Sequence, residues 1–559
     1  MHAEPTEAGA GPEPAPSPGP TLWTWAAPFL AVFGLAVALF ALAVLLDLWW
    51  PTVAGAPPTV DALTDALLRQ DLEQARNTLG GLGEVMAAVL GLALTVSSII
   101  VQLAATRFTP HVTALFFRDR TNFLILGFFV TASVFVLWVN FSLGPAYVSR
   151  WGVLGSMVVM TVSLLLLFPY FAYVFDFLDP GRIIGRIMND GLRAAVPPCS
   201  ADPDVCRARR RTATRAIDHL ANIGLNALQQ KDKDIASAAI DALEHLSVTY
   251  GDRKHALPED FFRFGPALRQ TPDFISLSDE SIDDLMQRRT FLEWKILRQY
   301  QMLFGEALHQ MKDTCYLLAI DTRRIGEAAG RRGDVHTLDL AIKFFNTYMR
   351  ATINASDIRT AYNILHQYRQ LGEFAITRGA TTADDDLADR ARQIAGFMRY
   401  YGSLCYQRGL TFVTEVIAHD VGQLCEVAFK TKSPVHDALL EIFLTVDESP
   451  ETEEQETTLR GVRRAQVKLA TTYLLHGRRD LAARIQRDMA TEPPARLRSI
   501  WRELAQLEDR EFWEVNDRGT NFDYLTPQQK SRLGEFFAAF AGLQPEDEEG
   551  GGARTDGGA

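Results

Sequence analysis

Glu84, Ala88, Gly91, Thr95, Ser98 and Gln102 recur at alternating steps of four and three inside an otherwise Leu, Val, Ile and Met segment. On a helix that spacing puts all six on one stripe, small or polar against an apolar surface. In a bilayer, a Glu or Gln turned toward acyl chains costs several kcal/mol unless paired. The stripe therefore has two chemical uses: a close-packed contact with Gln102 as an interhelical hydrogen-bond donor, or the polar wall of a path shared by several subunits. A second cluster follows at once: Arg107, His111, Arg118, Asp119 and Arg120. These charges mark either the inner leaflet or an ion gate or anionic-lipid contact at the mouth of the bundle.

Elsewhere the chemistry is sparse. The sequence holds no Gly-rich phosphate loop ending in Lys-Ser or Lys-Thr, no Gly-x-Ser-x-Gly elbow and no His-Glu-x-x-His. Asp218-His219, Glu244-His245, His419-Asp420 and His436-Asp437 pair a histidine with an acid, a combination that helical surfaces commonly carry without a metal. The expectation is that the chain is not an enzyme and has no catalytic, cofactor or metal residues. A net charge of -12 argues against nucleic acid as a partner. Of the five cysteines only Cys199 and Cys206 are close, at a spacing unlike usual zinc patterns, and structural disulfides are not expected in a reducing compartment.

What positions the stripe is a set of four apolar windows, roughly 22–46, 82–105, 123–143 and 153–175, each long enough to cross a core of about 30 Å at about 1.5 Å per residue. The first could be read as a secretion signal, with Ala54-Gly55-Ala56 behind it, but no Lys or Arg precedes Arg69 and the apolar stretch is too long, so a retained span is expected. Residues 58–79 carry a helical apolar stripe after Pro57-Pro58 and predict an amphipathic helix on the outer surface. Arg107, Arg118, Arg120, Arg182, Arg186 and Arg193 place the 2–3 turn and the region after the fourth span inside, so both termini are expected in the cytoplasm of a cell with an inner membrane. The Arg207 to Arg215 cluster reads as a solvated or headgroup-facing start of the soluble part.

The expected fold is all-α: a disordered tail at 1–20, a four-helix transmembrane domain at 21–179, a large cytoplasmic helical domain at 180–543 and a disordered acidic Gly-rich tail at 544–559. Candidate helices in the soluble part include 211–227, 234–250, 281–310, 337–352, 358–376, 384–407, 413–430, 434–447 and 459–476, which come as antiparallel-looking pairs and suggest a repeat array or bundle. Ala470, Tyr473, Gly477, Ala482 or Ala483, and Pro493-Pro494 resemble the spacing of a tetratricopeptide unit.

The run Val96-Ser97-Ser98-Ile99-Ile100-Val101-Gln102-Leu103-Ala104-Ala105-Thr106-Arg107-Phe108-Thr109-Pro110, continued by Phe117-Arg118-Asp119-Arg120-Thr121-Asn122 and Leu126-Gly127, resembles the signature of bacterial predicted membrane proteins grouped as domain of unknown function 2254. His111 stands where that family often has Arg. The resemblance implies an integral inner-membrane protein. Two functions follow as expectations: a membrane-anchored helical scaffold or signalling protein with a cytoplasmic protein partner, or an oligomeric ion channel or transporter lined by the second span. The lipid bilayer and a second copy of the chain are the other expected partners.

Overall fold

The computed structural model describes residues 38, 42, 72–107, 119–145, 148–177, 179–199, 202–446, 453–511, 517–519, 521–540 and 543. Outside these lie the first apolar window apart from residues 38 and 42, both terminal tails, residues 58–71 of the expected amphipathic helix, and the turn bearing His111 and Arg118. The chain divides into two units, Met1–Ile183 and Ile184–Ala559.

Among the described residues of the first unit three helices are long and apolar enough to span a membrane: α1 (Leu72–Arg107), α2 (Arg120–Ser142) and α3 (Arg150–Phe177). Four were expected, and the first of those windows lies outside the described residues apart from 38 and 42. Residues 72–79 do not form the end of a separate surface helix; they are the first turns of α1. No Gly-Pro or capping break separates them from the apolar window, so the helix runs on. The contact face of α1 carries Ala75, Leu79, Met86, Val89, Ala93, Ser97 and Val101, all buried against α2 and α3. Phe129 and Tyr170 meet edge to face at 6.2 Å in the same core, a geometry that places the positive ring edge on a negative face.

A polar relay ties the three helices. Tyr170 donates to Asn122 Oδ1 (2.9 Å) and shares a 2.7 Å hydrogen bond with Ser97, whose hydroxyl also lies 2.6 Å from the Ala93 carbonyl. All three side chains are buried. Removing the phenol with Tyr170→Phe is expected to cost about 0.6–1.7 kcal/mol of bundle stability, the range of interhelical hydrogen bonds in lipid. The check is steric-trap or denaturant unfolding in bicelles; a difference indistinguishable from zero would mean the relay is a geometric coincidence.

The second unit starts with α4 (Pro180–Ala195) and continues as helical hairpins: α5 (Pro203–Gln230), α6 (Lys233–Arg253), α7 (Phe291–Gln310), α8 (Lys312–Arg331), α9 (Val335–Asn354), α10 (Ile358–Thr382), α11 (Asp385–Gln407), α12 (Thr411–Lys430), α13 (His436–Leu444), α14 (Glu453–Leu475), α15 (Arg479–Asp488) and α16 (Pro494–Gln506). Packing runs in two layers. Helices α5, α7, α9, α11 and α13 follow one another in one layer, and α6, α8, α10, α12 and α14 in the other. The expected helix at 281–310 is broken: Arg289 takes φ 55° and Thr290 precedes a new start at Phe291.

One local device repeats at the turns. Lys231, Gly333, Ser356 and Ala383 adopt positive φ. The next residue is each time an aspartate, Asp232, Asp334, Asp357 or Asp384, whose side chain accepts the backbone N–H three residues on. The left-handed residue ends one helix, and the carboxylate satisfies an orphan donor and faces the positive end of the next.

The basic cluster is solvated at Arg207, Arg211 and Arg215, which are exposed, but not at Arg209 and Arg210. Arg209 donates from Nε to the Ala194 carbonyl (3.0 Å) and from Nη2 to the Arg193 and Val196 carbonyls (2.5 Å each), closing the C-terminal end of α4. Arg210 is buried and donates to the carbonyls of Asp260 and Phe261 at 3.1 and 3.2 Å. Orphan carbonyls at a helix end are a ready partner for a guanidinium.

Candidate functional site

Glu84, Ala88, Gly91, Thr95, Ser98 and Gln102 do share one face of α1, and every one of them is exposed. A Cβ built on Gly91 meets nothing within 4 Å. The buried face is displaced by two residues, or about 200° on a helix, which is why Met86 and Val89 are covered while Glu84 and Ala88 are not. The stripe is therefore not the seam among α1, α2 and α3. Ser97, not Ser98, is the serine used in packing. Of the expected inner-mouth residues, Asp119 caps α2, its Oδ1 accepting from Thr121 N at 2.9 Å, and Arg120 is the first residue of that helix. Arg107 ends α1. Asp119 thus acts on the helix terminus, while His111 and Arg118 lie outside the described residues.

The histidine–acid pairs separate into different roles. Asp218 pairs with Lys295 Nζ (2.5 Å). His436 Nε2 lies 2.7 Å from the buried Tyr473 hydroxyl. Tyr473, Ala470 and Ala482 are buried where α14 and α15 meet, and Gly477 turns the chain at φ 74°. Cys199 and Cys206 sit 3.7 Å apart as free thiols, with burial and the neighbouring Cys199 pushing Cys206 up to about 11.

His419-Asp420 leads to the most developed polar site in the second unit. A C-terminal strap beginning at Asp517 crosses α10, α12 and α14 in turn. Asn363 of α10 donates to Asp517 at 2.8 Å. Arg518 reaches α12, pairing both nitrogens with Asp420 (2.7 and 3.1 Å), donates to the Tyr362 carbonyl at 2.6 Å and lies over the Tyr362 ring at 4.2 Å. Phe522 stacks on His419 at 4.8 Å, and Lys468 of α14 donates to the Phe522 carbonyl at 2.6 Å. Gln529 closes the crossing with a 3.1 Å bond to Thr472. Nothing local in the sequence joins Arg518 to Asp420, which are 98 residues apart.

Between strap and helices lies a cavity of about 630 Å³. Beside it Glu415, His419 and Asp523 bring one ligand atom each to within 4.8 Å of one another. A metal ion is poorly matched there, because Arg464 already reaches both carboxylates, Glu415 at 3.1 Å and Asp523 at 3.0 Å. The guanidinium supplies the positive charge that the acids require. His366, also on the cavity wall, is held down at about 4 by burial, with Arg518 and Arg369 adding repulsion of a second positive charge.

A different carboxyl group is buried between α6 and α8. Asp321 is fully buried, and burial together with Asp241 and Glu244 pushes it up to about 8 against an ordinary value of 3.8. The folded state binds that proton more tightly than the unfolded chain, so the contribution to stability is full below 3.8 and is lost as pH rises toward about 8. Asp321→Asn is expected to remove this loss. Its melting temperature should exceed the parent's at about pH 8 and the gap should close by about pH 4; parallel melting curves across that range would refute the assignment.

No curated protein matches the chain. Residues 23–227, which include the apolar helices α1 to α3 and the start of the helical array, match the family described as predicted membrane protein, domain of unknown function 2254.

Proposed function

We propose that this chain is a membrane-anchored scaffold or signalling protein, not an enzyme, in which the apolar helices anchor and the second unit binds a cytoplasmic protein. The observation that carries the reading is the two-layer succession of hairpins from α5 to α14, in which successive helices pack on one another from α5 through α13 and the order within each layer is unbroken. Such arrays present long faces suited to partner binding. Phe397 and Tyr400 of α11 and Phe412 of α12 are large aromatic side chains exposed at 40, 51 and 45%, and surface aromatics of this kind are typical interface anchors. The Arg distribution of the sequence supports a cytoplasmic location for this unit and for both termini, in the inner membrane of the cell.

The test is photo-crosslinking from p-benzoylphenylalanine placed at Phe397, Tyr400 or Phe412 of the full chain in its native membrane. A discrete heteromeric adduct, identified by mass spectrometry and lost when the probe sits at exposed Arg479, supports the reading. Monomer bands at all three positions would count against it.

A second reading has its own observation. The exposed Glu84-to-Gln102 stripe on α1 is where polar groups in lipid require a partner, and oligomerisation through it would line a channel or transporter path. In that reading the second unit regulates the path.

A further inference from the structure

The walls of the cavity under the C-terminal strap are chemically one-sided. Four cations line it, Arg369, Lys468, Arg510 and Arg518, against two acids, Asp420 and Glu426. Both acids are already engaged. Asp420 lies between Arg518 and Arg369, the latter 3.1 Å away through Nε. Glu426 accepts from Lys430 at 2.6 Å. Arg369 is further held by Glu373 and by Gln423 at 3.0 Å.

Lys468 differs from these. Its ammonium hydrogen-bonds the Phe522 carbonyl rather than a carboxylate. Burial draws its pKa below the usual lysine value, an effect that Asp523 and Glu426 only partly offset. A desolvated ammonium with spare donors gains from an anion placed beside it. Arg510 is exposed at the rim, where its backbone carbonyl accepts from Asn521 N at 3.0 Å.

Two histidines complete the wall. His366 Nδ1 is 3.2 Å from the Arg369 guanidinium, which can only donate, so the imidazole proton resides on Nε2. His419 is 6% exposed, and its Nε2 makes no hydrogen bond, standing 3.5 Å from Asp523 Oδ1. The volume of about 630 Å³ falls within the range of small-molecule sites, roughly 300–1,000 Å³.

From this arrangement we infer that the cavity is a binding site for a small multivalent anion bearing carboxylate or phosphate groups, held by Lys468 and Arg510 with His366 and His419 as further hydrogen-bond donors. Lys468 gives charge in a dry wall, and Arg510 gives a planar fork at the entrance. The site sits where three helices of one layer meet the strap, so occupancy tightens contacts that link residues far apart in sequence. The inference does not rest on the partner-binding reading.

The experiment is isothermal titration of the full chain in detergent micelles with citrate and with inorganic pyrophosphate, against sodium chloride of equal ionic strength. Saturable one-to-one binding of at least one probe is expected; which probe binds separates a carboxylate from a phosphate ligand. Arg510→Ala, on an exposed side chain whose loss leaves the fold intact, should weaken binding by about threefold to tenfold, and Lys468→Met by about tenfold or more. Arg479→Ala, remote from the cavity, should bind as the parent does. Binding no stronger than chloride for both probes overturns the proposal, as does binding that Arg510→Ala leaves unchanged. A zinc titration is the remaining arm. Stoichiometric zinc binding lost in His419→Ala would assign the site to a cation and overturn the anion.

Discussion

Lys254→Met is expected to cost the second unit about 3–5 kcal/mol, the usual penalty for removing one member of a buried ion group. Lys254 is 2% exposed and bridges Glu293 (2.8 Å) and Asp334 (2.7 Å), with Thr337 bonded to Asp334 at 2.7 Å. Met fills the same stem volume, so the loss reports on charge rather than packing. Two carboxylates would remain in a dry site. Burial already raises the Glu293 pKa even with the ammonium present. Asp334 behaves oppositely: burial favours its neutral form, but Lys254 and Thr337 overcome this and hold it below its ordinary 3.8. Its contribution is therefore present above 3.8 and disappears as pH falls through the depressed folded value. The variant should lose that acid-side transition. Urea unfolding followed by circular dichroism measures both effects, and a loss under about 1 kcal/mol would show that the triad is not held as drawn.

Asp420→Asn is the second large effect, at about 2–4 kcal/mol, because it leaves Arg369 and Arg518 sharing a neutral amide where a carboxylate had served both. The defect is local to the strap. Arg518 also packs on Tyr362 and Phe522, so loosening it should uncover the segment from 517 onward. Limited proteolysis is expected to clip the variant near that point under conditions in which the parent is intact. Equal protection would mean that apolar contacts and the Gln529–Thr472 bond suffice to hold the strap.

Much of the second unit was legible because its helices carry their own punctuation. Asp232, Asp334, Asp357 and Asp384 sit where a cap belongs, and the expected starts at 234, 337, 358 and 384 fall within a few residues of them. The break before Phe291 was not legible, since Arg289 adopts positive φ without being Gly or Asn. In the first unit the sequence marks polar positions but not the helix phase that packs. Met86, Val89 and Ala93 are buried and Leu92 and Leu94 are exposed, yet lipid offers no contrast that would distinguish these apolar residues. His419-Asp420 was visible as a pair. Its partners Arg518 and Asp523 come from a strap that only the tertiary fold brings back.

The exposed stripe keeps anchor and pore apart as alternatives, and ion flux decides between them most directly. Full-length protein reconstituted in liposomes is predicted to pass no ions above protein-free vesicles under potassium, sodium or chloride gradients, and Glu84→Ala and Gln102→Leu should behave alike. A flux that the parent supports and Gln102→Leu abolishes would contradict the anchored-scaffold account and assign the α1 stripe to a path.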